Sequence, residues 1–145
     1  MNIAQDIMDN HGKSSHFDCL IIGAGISGID AAYYLQKKCP WATYAILERR
    51  SNLGGTWDLF KYPGIRSDSD MYTFGFSWKI WNSPKPIAPA NEILDYLNEA
   101  AEEQGIIDHI KFNIEAIRAD WKTSAYPGPP ALDNCWQITC TNGVV

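Results

Sequence analysis

The sequence has few of the residues that build disulfide frameworks and metal centres. It contains four cysteines and three histidines in 145 residues. No two cysteines form a Cys-x-x-Cys pair, and the histidines show no spacing typical of metal ligands. These patterns predict reduced cysteines in a cytoplasmic protein and no metal site.

Positive charge and long apolar runs are also scarce. Twelve lysines and arginines stand against 17 aspartates and glutamates, which gives a net charge of -5, and the basic residues form no cluster. This balance argues against a nucleic-acid partner. No apolar stretch approaches the roughly 20 residues that cross a bilayer. The composition therefore predicts a soluble globular protein with no membrane partner, and it leaves the oligomeric state open.

A short apolar run leads directly into a glycine-spaced turn at residues 17–28, Phe-Asp-Cys-Leu-Ile-Ile-Gly-Ala-Gly-Ile-Ser-Gly. The run at 20–22 is typical of a parallel strand that is covered on both faces. Gly23, Gly25 and Gly28 then fit the pattern Gly-x-Gly-x-x-Gly. In that pattern the first glycine allows a tight turn, the second admits a pyrophosphate, and the third lets the next helix pack closely.

The residues after the turn support dinucleotide binding. Residues 26–38 predict a helix that Pro40 ends, and residues 44–47 predict a second strand. Glu48 follows this strand, 20 positions after Gly28. In dinucleotide-binding βαβ units, this position carries an acid that accepts hydrogen bonds from ribose hydroxyls. The alternative is a structural βαβ unit in which Glu48 is an incidental surface residue.

Two segments after the second strand are irregular. Gly54 and Gly55, followed by Thr-Trp, predict a loop whose backbone another group approaches closely. The plainer alternative is a turn capped by a core tryptophan. Pro63 and Gly64 fit the two central positions of a type II turn. The prolines at 83–90 predict a surface connection without regular structure.

The second half of the chain predicts one helix and an antiparallel meander attached to the parallel sheet. Apolar residues at helical spacing predict an amphipathic helix at 92–104. Alternating residues predict strands at 110–121 and 136–140, and the pair Asn142-Gly143 predicts a hairpin.

The length suits a single domain. Residues 1–16 are polar, lack the apolar core of a secretory signal, and predict a mobile leader. A proline-rich turn is predicted at 126–130. The hairpin's return strand would have only two residues before the chain ends at 145, so the domain at 17–145 is expected to be incomplete.

Four motifs together resemble the N-terminal part of class B flavin-dependent monooxygenases of the Baeyer-Villiger type. They are Gly-Ala-Gly-Ile-Ser-Gly, Leu-Glu-Arg, Gly-Gly-Thr-Trp-Asp-Leu and Tyr-Pro-Gly-Ile-Arg-Ser-Asp-Ser-Asp-Met-Tyr-Thr. The resemblance covers residues 17–122, and its most specific part is 54–76. It implies an α/β fold: a Rossmann-like FAD-binding domain with a parallel sheet plus an antiparallel β-meander, C-terminally truncated.

The resemblance also implies which residues contact FAD and NADPH. The pyrophosphate of FAD would be contacted by Gly23, Gly25, Ser27 and Gly28. The flavin end would be bordered by Gly55, Thr56, Trp57, Asp58 and Leu59. FAD and NADPH would meet at Arg66, Ser67 and Asp68. Glu48 would bind the ribose. The backbone of Ala116 would contact adenine, a contact that alanine permits where relatives more often have valine. Asp68 would also have a catalytic role, since it would help to hold an arginine supplied by a second domain.

Enzymes of this family use NADPH to reduce FAD and insert one oxygen atom of O2 into a ketone or a sulfur compound. Their second glycine fingerprint, their histidine-containing signature and their catalytic arginine are absent from these 145 residues, so the chain is expected to be inactive by itself. Two other functions stay open: a different FAD or NAD(P) oxidoreductase of the same fold, or a non-catalytic dinucleotide-binding fragment.

Overall fold

Three parallel strands form the centre of the fold. The computed structural model describes residues 15–123 and 134–144, so most of the predicted leader and the predicted proline-rich turn lie outside the described residues. The strands are β1 (Cys19–Ile22), β2 (Tyr44–Glu48) and β3 (Ile110–Phe112), and their order in the sheet is β1-β2-β3. The predicted parallel sheet is confirmed.

Helix α1 (Ile26–Lys38) connects β1 to β2, as predicted. All five residues of β2 are buried, because β2 lies between the two other strands. The expectation that the first strand is covered on both faces is wrong at its end, where Ile22 is 59% exposed. β1 is an edge strand of the described sheet, and Ile22 reaches the rim of a cleft.

The remaining helices are α2 (Thr56–Leu59), α3 (Met71–Phe74) and α4 (Ala90–Glu103), followed by a 3-10 turn (Ile106–His109). The predicted amphipathic helix is confirmed as α4, which begins two residues earlier than expected. Its fully buried residues are Ile93, Leu97, Ala100 and Ala101. The glycine-rich loop was not expected to contain a helix. Helix α2 nevertheless begins directly after Gly55, because the glycines precede the turn of helix and do not interrupt it.

The meander consists of β4 (Ala116–Lys122), β5 (Cys135–Cys140) and β6 (Gly143–Val144), which pair antiparallel in this order. The single strand predicted at 110–121 is wrong. Asn113 has a φ of 59°, a left-handed conformation that ends β3 and redirects the chain into β4.

The predicted hairpin is confirmed with a small shift of its turn. Cys140 pairs with Gly143, so the two turn residues are Thr141 and Asn142. The meander then packs against the parallel sheet through Leu47, Ile114 and Cys140. On the helical side of the sheet, α1 and α4 share the main core with Ile46.

The irregular segments around residues 65 and 88 hold each other in place. The predicted type II turn is present, since the N–H of Ile65 donates to the carbonyl of Tyr62 over 3.3 Å and Gly64 has a φ of 79°. The N–H of Ser67 donates to the carbonyl of Ala88, and the N–H of Ala88 donates to the hydroxyl of Ser67. Ala88 is completely buried, so the proline-rich connection lies only partly on the surface. Because these mutual bonds satisfy buried polar groups, both segments are ordered without belonging to a sheet.

Candidate functional site

A cleft of about 440 Å³ opens at the carboxyl ends of β1 and β2. This is where open α/β sheets bind their ligands, and the volume falls within the range of about 300–1,000 Å³ that is usual for small-molecule sites. Seven residues predicted from the sequence line it. They are Gly23, Gly25, Glu48, Gly55, Thr56, Leu59 and Ala116. The folded chain therefore brings together positions up to 93 residues apart in the sequence, from 23 to 116.

The backbone requires glycine at two positions of the turn, Gly23 and Gly28, and the third, Gly25, packs against the backbone of Gly55. Gly23 has a φ of 96°, which side chains disfavour. A Cβ on Gly28 would lie 2.0 Å from the carbonyl oxygen of Gly23, so α1 could not start so close to the turn. The backbones of Gly25 and Gly55 face each other, and a Cβ on Gly55 would lie 3.0 Å from the Cα of Gly25. The cleft is thus bordered by backbone, as a phosphate-binding turn requires.

The N-terminus of α1 meets the cleft at Gly25, and within the described residues no side chain caps it. The first N–H groups of an α-helix have no partner inside the helix, and together with the helix dipole they attract anions. The side chain of Ser27 is exposed in this first turn. An exposed anion-binding end of a 13-residue helix therefore borders the cleft.

Glu48 is a structural part of the cleft as well as a candidate ligand. It is only 5% exposed. One carboxylate oxygen accepts a hydrogen bond of 2.8 Å from the N–H of Ala24, and the other accepts one of 2.9 Å from the N–H of Arg50. The alternative of an incidental surface glutamate is wrong, because this side chain ties the end of β2 to the glycine turn.

Arg50 is a residue of the cleft that the sequence interpretation missed. Its Nη2 donates a hydrogen bond of 2.7 Å to the carbonyl of Gly55, and its Nε lies 3.7 Å from Glu48 Oε1 and 3.6 Å from Asp58 Oδ2. The guanidinium thus joins the end of β2 to the loop that begins α2. The available signal was the Leu-Glu-Arg-Arg sequence, which puts a cation two residues after the proposed ribose ligand.

Other predicted site residues lie outside the lining of this cleft. Ser67 is buried and its hydroxyl accepts the N–H of Ala88, whereas Arg66 and Asp68 are exposed on either side of it. Trp57 packs edge to face against Phe74, which agrees with the plainer alternative of a core tryptophan. Ser27 and Gly28 lie in the first turn of α1. The carboxylate of Asp58 lies 3.6 Å from Nε of the lining residue Arg50.

Metal binding finds no support in residues 15–123 and 134–144, where no three His, Cys, Asp or Glu side chains are grouped around a possible ion. In the same ranges, no helix is both long enough and apolar enough to cross a membrane.

Residues 21–97 match the family model for NAD(P)-binding Rossmann-like domains. The match covers more than half of the chain and includes the glycine turn, α1, β2 and the loop to α4. The chain belongs to this family. The Rossmann-like domain also agrees with the cleft described above, since the matched residues contain all of its glycines.

Relatives of the domain bear out the resemblance to flavin-dependent monooxygenases. The FAD-containing monooxygenase EthA of Mycolicibacterium smegmatis is 55% identical over 126 residues, which is 87% of this chain and 24% of that protein. The probable FAD-binding monooxygenase AlmA of Acinetobacter baylyi is 50% identical over 110 residues, 76% of this chain and 22% of that protein.

Solved structures give the same result for the fold. The OTEMO complex with FAD and NADP has a TM-score of 0.76 at 30% identity, over 92% of this chain and 24% of that one. Cyclohexanone-bound cyclohexanone monooxygenase has a TM-score of 0.78 at 27% identity, over 91% of this chain and 25% of that one. The chain therefore spans about a quarter of the length of the relatives that it matches.

Proposed function

We propose that residues 17–145 form the FAD-binding portion of an NADPH-dependent flavoprotein monooxygenase. The whole protein would insert one oxygen atom of O2 into a ketone or a sulfur compound, and its partners would be small molecules in the cytoplasm. The observation that carries this proposal is the cleft itself. It joins a dinucleotide-binding turn to the Gly-Gly-Thr-Trp-Asp-Leu loop, and a relative that is 55% identical over 126 residues is named an FAD-containing monooxygenase.

The described residues fit an FAD molecule in three respects. The unpaired N–H groups at the start of α1 suit a pyrophosphate, and the bare backbones of Gly25 and Gly55 leave space beside them. Each oxygen of the Glu48 carboxylate accepts one hydrogen bond from the protein, and a carboxylate oxygen can accept two. Glu48 therefore keeps the capacity to accept ribose hydroxyls.

The proposed positions follow from this fit. Gly23, Gly25, Ser27 and Gly28 would hold the pyrophosphate and Glu48 the ribose. The backbone of Ala116, which lines the same cleft, would contact adenine. The segment 55–59 would border the flavin, and 66–68 would lie toward NADPH. The flavin would supply the redox chemistry, by accepting a hydride from NADPH and passing electrons to O2.

Asp68 is proposed to act in the reaction by positioning a second charged group, and not by stabilising the fold. Its side chain is exposed and makes no hydrogen bond or ion pair within the described residues, while its neighbour Ser67 anchors the segment to Ala88. A free carboxylate on an anchored backbone can orient a cation that stabilises negative charge in the transition state. We therefore assign Asp68 the role of positioning the catalytic arginine.

The decisive experiment supplies the purified whole protein with FAD, NADPH, 18O2 and a set of ketones and sulfides. The proposal predicts NADPH oxidation that depends on FAD, and a product that contains one atom of 18O. NADPH oxidation without 18O in any product formed from the ketones or sulfides would favour another flavin oxidoreductase. Failure to retain FAD would contradict the proposal altogether.

A further inference from the structure

A second cavity, of about 420 Å³, lies at the opposite end of the parallel sheet. Its walls come from the residues that precede or begin the strands. Phe17 comes before β1, Thr43 and Tyr44 begin β2, and His109 and Lys111 flank the start of β3. None of its lining residues lines the dinucleotide cleft. This cavity is therefore separate from the proposed FAD site, and its role is independent of the proposed function.

Lys111 brings a positive charge to this cavity without a matching negative partner. The residue is 7% exposed. Within the described ranges its ammonium forms no hydrogen bond and no ion pair, and Asp108, the one acid of the lining, is not close enough for an ion pair. Burial lowers the pKa of Lys111, and the charge of Asp108 opposes this only in part. Lys111 is a mostly buried residue whose ammonium is partly desolvated and, among the described residues, unpaired, so an anion beside it would compensate for the lost hydration.

Further side chains that can form hydrogen bonds line the same space. The hydroxyl of Tyr44 accepts a hydrogen bond of 2.7 Å from Gln36 Nε2, so its own proton is available to a ligand. Burial raises the pKa of Tyr44 to about 12, which keeps this hydroxyl protonated. The ring of His109 stacks on Tyr44 with 4.2 Å between centroids, and His16 also lines the cavity.

We propose that this cavity is a binding site for a small anion, a phosphate or carboxylate group that pairs with the ammonium of Lys111. The charge on the lysine gives affinity, and the Tyr44 hydroxyl and His109 ring give direction through hydrogen bonds. The plainer alternative is that Lys111 extends along the sheet and keeps its end group in water, as lysines at partly apolar surfaces commonly do. The two differ in whether the cavity binds an anion saturably.

The test compares the wild-type whole protein with Lys111→Met, which keeps the length of the side chain and removes its charge. Lys122→Met, on the exposed face of β4, is the matched control. Isothermal titration calorimetry at constant ionic strength measures the binding of inorganic phosphate and of succinate. We expect saturable binding in the wild type, binding weakened about tenfold or more in Lys111→Met, and no change in the control. The probe that binds more tightly identifies the anion as a phosphate or a carboxylate.

Thermal unfolding provides a second readout in case the variant folds poorly. Without added anion, Lys111→Met is expected to unfold at a higher temperature than the wild type, because it removes an unpaired charge that is partly desolvated in the folded state. Lys111→Arg keeps the charge and is expected to retain most of the binding. Absence of saturable binding of both probes to the wild type would overturn the proposal. Equal binding by Lys111→Met and the wild type would also overturn it.

Discussion

The carboxylate of Glu48, at the end of β2, accepts a hydrogen bond of 2.8 Å from the N–H of Ala24 in the middle of the glycine turn. The same side chain is the proposed ribose ligand. A single buried residue thus fixes the shape of the turn and contributes to the cleft that the turn borders. Changes at Glu48 are therefore expected to affect both the free energy of unfolding and the affinity for FAD.

Glu48→Gln should weaken FAD binding by about 10- to 150-fold, because hydrogen bonds to a charged group contribute about 1.5–3 kcal/mol. The amide has one oxygen, so either Ala24 N–H or Arg50 N–H also loses its acceptor. We expect the free energy of unfolding to fall by about 1–3 kcal/mol. FAD titration by fluorescence and denaturant unfolding measure the two effects. Glu102→Gln, at an exposed position of α4 outside the cleft, serves as the control and should change neither. Wild-type affinity in Glu48→Gln would remove the ribose assignment.

Gly28→Ala should destabilise the fold, because the new Cβ would lie 2.0 Å from the carbonyl oxygen of Gly23. Only a shift of the backbone relieves this contact, and overpacking of this kind costs about 1–3 kcal/mol. Urea unfolding measures the loss. Ser27→Ala, at an exposed position one residue earlier, should stay within about 0.5 kcal/mol of the wild type. An equally small effect for Gly28→Ala would show that α1 can move away from the turn.

Arg50→Met should destabilise the protein by about 1.5–3 kcal/mol, since it removes the hydrogen bond to the carbonyl of Gly55 and the cation between Glu48 and Asp58. A double-mutant cycle with Asp58→Asn should give a coupling of about 0.5–3 kcal/mol. The neighbouring exposed residue gives the control, Arg49→Met, which should have little effect. Strictly additive effects of the Arg50 and Asp58 changes on stability would show that the two side chains do not interact.

Asp68→Ala and Asp70→Ala should have different effects, although both acids lie in one loop. Asp70 caps α3 by accepting the N–H of Thr73 over 3.0 Å, and its hydrogen bonds to Thr73 lower its pKa. Its loss should lower the melting temperature slightly at neutral pH, and this difference should disappear as the pH falls through the lowered pKa, where the cap is protonated in the wild type.

Asp68→Ala should instead leave the melting temperature and FAD content unchanged. It should slow oxygen insertion into the substrate and divert electrons from NADPH to hydrogen peroxide, because the arginine that it positions would no longer stabilise negative charge. Product and peroxide are measured in the same reaction. Full coupling of NADPH oxidation to product in Asp68→Ala would return this residue to the role of a solvated loop acid.

Local sequence patterns predicted the elements whose periodicity extends over many residues. The bounds of α1 follow from Gly25 before it and Pro40 after it, and the buried face of α4 follows from the spacing of Ile93 and Leu97. The break between β3 and β4 could not be predicted in this way. Asn113 adopts its left-handed conformation because its N–H and that of Ile114 bond to the carbonyls of Arg50 and Glu48, contacts made only after folding.

The cleft residues that could be predicted are those at fixed spacings in the sequence, which include Glu48, 20 positions after Gly28. The glycines have spacing rules, so the turn could be recognised from Gly23, Gly25 and Gly28. Arg50 has no such rule, since its function depends on the distance to Gly55 and Asp58 in the folded chain.

The crystal structure of the FAD-saturated whole protein would test the central claim most directly. We predict that the pyrophosphate lies at the start of α1 beside Gly25 and Gly55, with a ribose hydroxyl within hydrogen-bond distance of the Glu48 carboxylate. FAD bound at any other place on the protein, or a cleft that stays empty at saturating FAD, would contradict it.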